Sequence, residues 1–273
     1  MNKAPSLSSE IKGDGDPLLI LHGFTGDRST MSSISEPLSK NYSVISVDLP
    51  GHGNTVKDLE PYLFNFEDTL KALIEVMEFY DLEEFNVLGY SMGGRLSLGL
   101  ATKYPNKIKN SILIGATAGI ADENQRIARR RSDDRLAEEI LEKGVEWFVE
   151  YWMEQPIFES QIRIAPETFD ASKKQRLQNN AQGLANSLRG SGTGSQPSFW
   201  RKLNEINSPT LIIVGEEDPK FRSLAVRLNS GISKSEIVVV PESGHACHLE
   251  NPDFTLEMIA VSYTHLRAHE TEA

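Results

Sequence analysis

The stretch Gly89-Tyr90-Ser91-Met92-Gly93 constrains this chain more than any other. It follows the apolar run Phe85-Asn86-Val87-Leu88 and precedes Gly94-Arg95-Leu96-Ser97-Leu98-Gly99-Leu100-Ala101, which reads as a helix. Small residues two positions to either side of a serine allow a sharp turn from strand to helix. The serine then sits at the apex in a strained backbone, with its Oγ exposed above the carboxyl edge of a sheet. Ser91 is therefore the candidate reactive serine, and the chain must supply a sheet beneath it.

Short apolar runs at 17–21, 42–47, 85–88, 111–114, 210–214 and 236–240 supply it. Their β-branched content and lack of alternation suit a parallel sheet covered on both faces. Amphipathic segments lie between them, such as 66–80 with Leu70, Leu73, Ile74 and Met77 at helical spacing. From about Gly119 to Lys202 the strand pattern stops. The patterns there are helical (126–143, 145–152, 173–189), and Gly190-Ser191-Gly192-Thr193-Gly194-Ser195 reads as a linker. The expected organisation is an α/β core in two parts, residues 1–118 and 203–261, interrupted by a helical cap at 119–202. Residues 254–261 read as the start of a terminal helix. The apolar period is then lost, and 262–273, with its two histidines, is set aside as a suspected non-native tail.

A chain of 273 residues is long enough for one large α/β domain with an insertion. No apolar run approaches the ~20 residues of a membrane helix. The polar start, residues 1–16, lacks the apolar segment of a secretory signal. One cysteine, Cys247, cannot form an internal disulfide, which fits the cytoplasm. A net charge of −11 argues against nucleic acid or an anionic membrane as partner. No spacing suits a metal, a nucleotide or another cofactor. Oligomeric state is left open.

A serine hydroxyl is nearly inert without a base beside it and an acid to orient that base. Two candidates follow Ser91 in chain order. Asp218 ends Gly215-Glu216-Glu217-Asp218 after the run 210–214, with Glu216 and Glu217 as substitutes. His245 ends Pro241-Glu242-Ser243-Gly244-His245 after 236–240, with His248 as its rival. Both stand just past a strand's carboxyl end, the edge where open α/β sheets bind ligands. An oxyanion hole needs two backbone N–H groups. Met92, after the serine, offers one. Phe24, in Leu21-His22-Gly23-Phe24-Thr25-Gly26, offers the other. His22 and His52, the latter in Asp48-Leu49-Pro50-Gly51-His52-Gly53, read as structural.

These three glycine-containing motifs are shared by many α/β-hydrolases. Arg95 four residues after the serine, the stretch 190–200, and Gly215-Glu216-Glu217-Asp218-Pro219-Lys220-Phe221 are narrower. Over about Leu18 to Ile259 the chain resembles the MenH family of menaquinone-pathway lyases. The resemblance implies an α/β-hydrolase fold, a mostly parallel sheet with helices on both faces and an inserted helical cap. It also implies elimination of pyruvate from 2-succinyl-5-enolpyruvyl-6-hydroxy-3-cyclohexene-1-carboxylate, a small polycarboxylate, started by proton abstraction and not by hydrolysis. Ser91 and His245 would act as base, with Asp218 holding the imidazole. By local pattern Tyr90, Arg95, Arg129, Trp152 and Arg176 match the family's substrate-binding residues. Guanidinium forks suit carboxylates, and a few desolvated arginines set the field of a cleft despite an acidic surface. The same triad also suits a carboxylic-ester or carbon–carbon bond hydrolase, and a hydrolase-like ligand receptor is the non-enzymatic alternative.

Overall fold

The computed structural model describes residues 5–55 and 61–271, the last nine by backbone alone. In chain order the elements are β1 (Ser9–Lys12), β2 (Asp16–Leu21), α1 (Ser32–Leu38), β3 (Tyr42–Val47), α2 (Phe66–Phe79), β4 (Phe85–Tyr90), α3 (Met92–Lys103), β5 (Ile108–Ile114), α4 (Glu123–Met153), α5 (Pro166–Arg176), α6 (Ala181–Ser191), β6 (Thr210–Gly215), α7 (Pro219–Gly231), β7 (Ser235–Val240), α8 (Cys247–Glu250) and α9 (Pro252–Thr271). The strands form one sheet ordered β1-β3-β2-β4-β5-β6-β7. Every neighbouring pair is parallel except β1 with β3.

The central strands are buried along almost their whole length, which is why they read as continuous apolar runs. Two apolar layers sandwich them. One joins Leu19, Val87 and Leu113 to Phe66, Leu70 and Phe199. The other joins Leu18, Leu88 and Ile213 to Met31, Leu38 and Ile259. Strand β1, Ser-Glu-Ile-Lys in sequence, was not expected. It is an antiparallel edge strand, mostly exposed, so it carries no apolar signature.

Helices α4, α5 and α6 fill the interval where the strand pattern stops. Helices α4 and α6 share a small core of their own built on Ala137, Ile140, Phe148, Leu184 and Leu188. Helix α4 joins the two expected segments across a bend at Gly144 (φ 87°). The expected single helix over 173–189 is instead two. Asn180 caps α6 by accepting the Gly183 N–H (3.0 Å), and Asn179 turns its amide to the Thr25 carbonyl (2.8 Å).

The expected linker at Gly190 to Ser195 is a packed turn. Gly190 lies against the Phe64 backbone and Gly194 against that of Arg130, both too close for a Cβ. Ser191 Oγ donates to the Phe64 carbonyl at 2.8 Å. The glycines here serve close approach and not flexibility.

The suspected tail, 262–273, falls partly on α9. Its backbone stays helical to Thr271, while Glu272 and Ala273 lie outside the described residues. Among the described residues no helix is long and apolar enough to cross a membrane.

Candidate active site

Ser91 occupies the turn between β4 and α3 with φ 52° and ψ −104°, a region that L-residues rarely adopt. Its N–H donates to the Ile114 carbonyl at 2.8 Å, which ties the turn to β5. Gly93 lies against the Leu21 and His22 carbonyls and Gly89 against Gly93, so a side chain at either would push α3 off the sheet.

His245 follows β7, and its Nε2 stands 3.0 Å from Ser91 Oγ. Its Nδ1 stands 2.9 Å from Asp218 Oδ2. Asp218 follows β6 and caps α7, its Oδ1 accepting the Phe221 N–H at 3.1 Å. One carboxylate oxygen therefore anchors a helix while the other fixes the imidazole. With Nδ1–H donating to Asp218, the Nε2 lone pair faces the serine hydroxyl, the arrangement a base requires. Asp218 and His245 are buried, and the Phe221 ring packs on the imidazole with centroids 4.4 Å apart.

The substitutes lie elsewhere. Glu217 pairs with Arg163 at 2.6 Å, and Glu216 accepts the Glu242 N–H. His248 is brought to the Tyr90 ring (4.3 Å) and not to Ser91. Burial, with help from His245 and Arg176, drives its pKa down to about 3.

The N–H groups of Phe24 and Met92 find no acceptor among the described residues. The loop carrying Phe24 is braced by two neutral histidines. His22 donates from Nδ1 to the Gly23 carbonyl (2.8 Å) and accepts the Leu49 N–H at Nε2 (3.0 Å). His52 donates to the Pro50 carbonyl and accepts the Thr25 N–H at 3.2 Å. Burial and the neighbouring His22 lower the His52 pKa to about 3.

A cavity of about 530 Å³ opens between the sheet edge and α4–α6. Ser91, His245, Phe24, Met92, Tyr90, Arg95, Arg129, Trp152 and Arg176 all line it, and Asp218 sits behind His245. Arg95 is buried and donates to the Ser191 carbonyl (2.8 Å) and Gln196 Oε1 (3.0 Å). Burial and the nearby Arg129 lower its pKa to about 10, so it stays charged at neutral pH. Arg129 is half exposed and pairs with Asp133 at 2.7 Å. Arg176 is buried and donates to Thr25 Oγ1 at 2.7 Å, and burial lowers its pKa. Its Nε and the Trp152 Nε1 are buried donors without acceptors. A bound anion would satisfy them.

Two further cations line the cavity that sequence reasoning did not single out, Lys220 and Arg227 on α7. Lys220 lies within the motif Gly215 to Phe221, two residues after Asp218. Arg227 carried no signal, because an exposed helical arginine looks the same whether or not a cavity lies beside it.

The α/β-hydrolase fold family matches residues 16–252. A Bacillus subtilis protein with the provisional name 2-succinyl-6-hydroxy-2,4-cyclohexadiene-1-carboxylate synthase is 36% identical over 247 residues, 90% of each chain. The 2-succinyl-6-hydroxy-2,4-cyclohexadiene-1-carboxylate synthase of Enterobacter sp. (strain 638) is 30% identical over 86% of each. Among solved structures, MenH from S. aureus superposes with a TM-score of 0.91 at 33% identity, covering 95% of this chain and 98% of that one. A malate-bound thermophilic esterase from Thermogutta terrifontis superposes at 0.83 with 26% identity, covering 95% and 93%.

Proposed function

We infer the reaction from one premise: the chain belongs to the MenH family, the 2-succinyl-6-hydroxy-2,4-cyclohexadiene-1-carboxylate synthases of the α/β-hydrolase fold. It is an enzyme of menaquinone biosynthesis and a carbon–oxygen lyase. The proposed reaction converts 2-succinyl-5-enolpyruvyl-6-hydroxy-3-cyclohexene-1-carboxylate to 2-succinyl-6-hydroxy-2,4-cyclohexadiene-1-carboxylate and pyruvate, in the cytoplasm.

The two structures dictate the electron flow. The ring proton next to the succinyl ketone leaves, and its bonding pair becomes the double bond between ring carbons 2 and 3. The 3,4 double bond shifts to 4,5, and the bond from carbon 5 to the enolpyruvyl oxygen breaks. Ser91 Oγ takes the ring proton as it passes its own to His245 Nε2, and Asp218 stabilises the imidazolium. The Phe24 and Met92 N–H groups receive the charge that builds on the ketone oxygen. The proton on His245 completes the departing pyruvate. Arg95, Arg129 and Arg176, with Tyr90 and Trp152, bind carboxylate groups and the ring of the substrate. Residues 119–202 act as the cap that closes over them.

The observation that carries this reading is the unbroken chain from Ser91 through His245 to Asp218, at 3.0 and 2.9 Å, facing a cavity walled by arginines. The test is pyruvate release from freshly made substrate, corrected for spontaneous decay, by wild type and Ser91→Ala. Fast release by wild type with the variant at the spontaneous rate supports the lyase. Background release by both folded proteins overturns it and returns the chain to the ester and carbon–carbon hydrolases.

A further inference from the structure

We propose that Lys220 and Arg227 form a cationic rail along α7 that binds a substrate carboxylate other than those bound by Arg95, Arg129 and Arg176, and so helps set specificity for a polycarboxylate. The proposal rests on the lyase reading for the identity of that substrate.

The chain carries 39 acidic and 28 basic residues, yet its cavity reverses the balance. Lys220 and Arg227 line it with Arg95, Arg129 and Arg176, and Asp122 is the one lining carboxylate among the described residues. A cleft whose local sign opposes that of the whole molecule concentrates anions there.

The five cations are not equally free. Arg95 is engaged by Ser191 and Gln196, Arg129 by Asp133 and Arg176 by Thr25. Lys220 and Arg227 have no carboxylate within ion-pair distance and no side-chain hydrogen bond among the described residues. Their donors remain open to a ligand. Neighbouring Arg222, which does not line the cavity, is by contrast turned to the Glu216 carbonyl.

The two side chains are also placed in advance. They are seven residues apart on α7, hence on one face and about 10 Å apart along its axis. The Arg227 guanidinium lies over the Trp200 ring at 3.7 Å, and Trp200 is itself fixed by its Nε1–H donating to the Gly119 carbonyl at 2.7 Å. Stacking leaves the edge of a guanidinium available for a bidentate carboxylate. Lys220 stands two residues beyond Asp218 and beside Phe221, the ring that packs on His245. The rail thus runs along α7 from Phe221, beside the triad, to Trp200. A carboxylate on an arm extending from the reacting carbon would meet it.

The experiment compares Lys220→Gln, Arg227→Gln and the double variant with wild type, using Arg222→Gln as a control on the same helix. Each rail variant is expected to raise KM for pyruvate release about tenfold with kcat nearly held, the signature of lost binding and not of lost chemistry. The control is expected to match wild type. Substrate with its succinyl carboxylate methyl-esterified identifies the group held. If esterification costs wild type about tenfold but the double variant little, the rail holds the succinyl arm. If it costs both equally, the rail holds another carboxylate. Rail variants within twofold of wild type in KM overturn the proposal while the lyase stands. If wild type itself releases no pyruvate, the lyase reading fails, and the rail is then judged by calorimetric binding of trans-aconitate as a tricarboxylate probe. Weaker binding by the double variant than by wild type sustains it, and equal binding ends it.

Discussion

Ser91, Asp218 and His245 stand on turns that follow β4, β6 and β7, whereas Arg95, Arg129 and Arg176 stand within three different helices, α3, α4 and α5. The first set is joined atom to atom across the carboxyl edge of one sheet. The second reaches the cavity from separate directions, and each arginine is held by its own acceptor. The contrast is mechanical. Parallel strands in register deliver their ends to one line, so three residues distant in sequence become one unit. A helix delivers a side chain only as well as its docking allows. Groups acting as a unit lose function non-additively, while groups without shared partners lose it additively.

The largest expected effect tests the unit. Asp218→Asn keeps an oxygen for the α7 cap but loses the imidazole tautomer, and kcat should fall by about 10⁴. Adding Ser91→Ala should cost little more, measured as pyruvate release. A full product of the two losses would mean that they do not act together.

The arginines should behave otherwise. Arg129→Ala and Arg176→Ala should each lower kcat/KM by about 10- to 100-fold, and their double variant by roughly the product. Arg95→Ala should fall in the same range but couple to Arg129→Ala, because Arg129 acts on the Arg95 charge. Wild-type-like kinetics in all three singles would remove the anion-site argument.

The smallest effect concerns the histidines that brace the site without reacting. His52 and His248 have folded pKa values near 3, below the ordinary 6.5. Their contribution to stability is therefore complete above pH 6.5 and is lost as pH falls from there toward 3. Each should cost about 2 kcal/mol between pH 7 and pH 5. Urea unfolding should show this slope. His248→Phe, which keeps the packing on Tyr90 and removes an unpaired buried nitrogen, should flatten it by about one proton and retain lyase activity. Loss of activity there would blur the line between His248 and His245.

Legibility followed the same division. Strands buried on both faces announce themselves as apolar runs, and the motif residues sit at fixed offsets from their ends. That is why Ser91, Asp218 and His245 could be chosen from sequence and are found in contact. Strand β1 was missed because an exposed edge strand has no apolar pattern to betray it. The stretch 190–195 was misread because glycine serves both flexibility and close approach, and only the neighbours Phe64 and Arg130 decide between them.

The sequence by itself determined the six parallel strands, the strained serine turn and the order of the three triad residues, because backbone sterics and hydrophobic periodicity are local. Tertiary structure alone decided which charges face the cavity. Arg95, Arg129 and Arg176 could be matched by pattern, but Arg227 could be found only once Trp200 and α7 were packed beside the site. Charge on a helix is cheap to write anywhere on its surface. Its meaning depends on what the rest of the fold brings opposite.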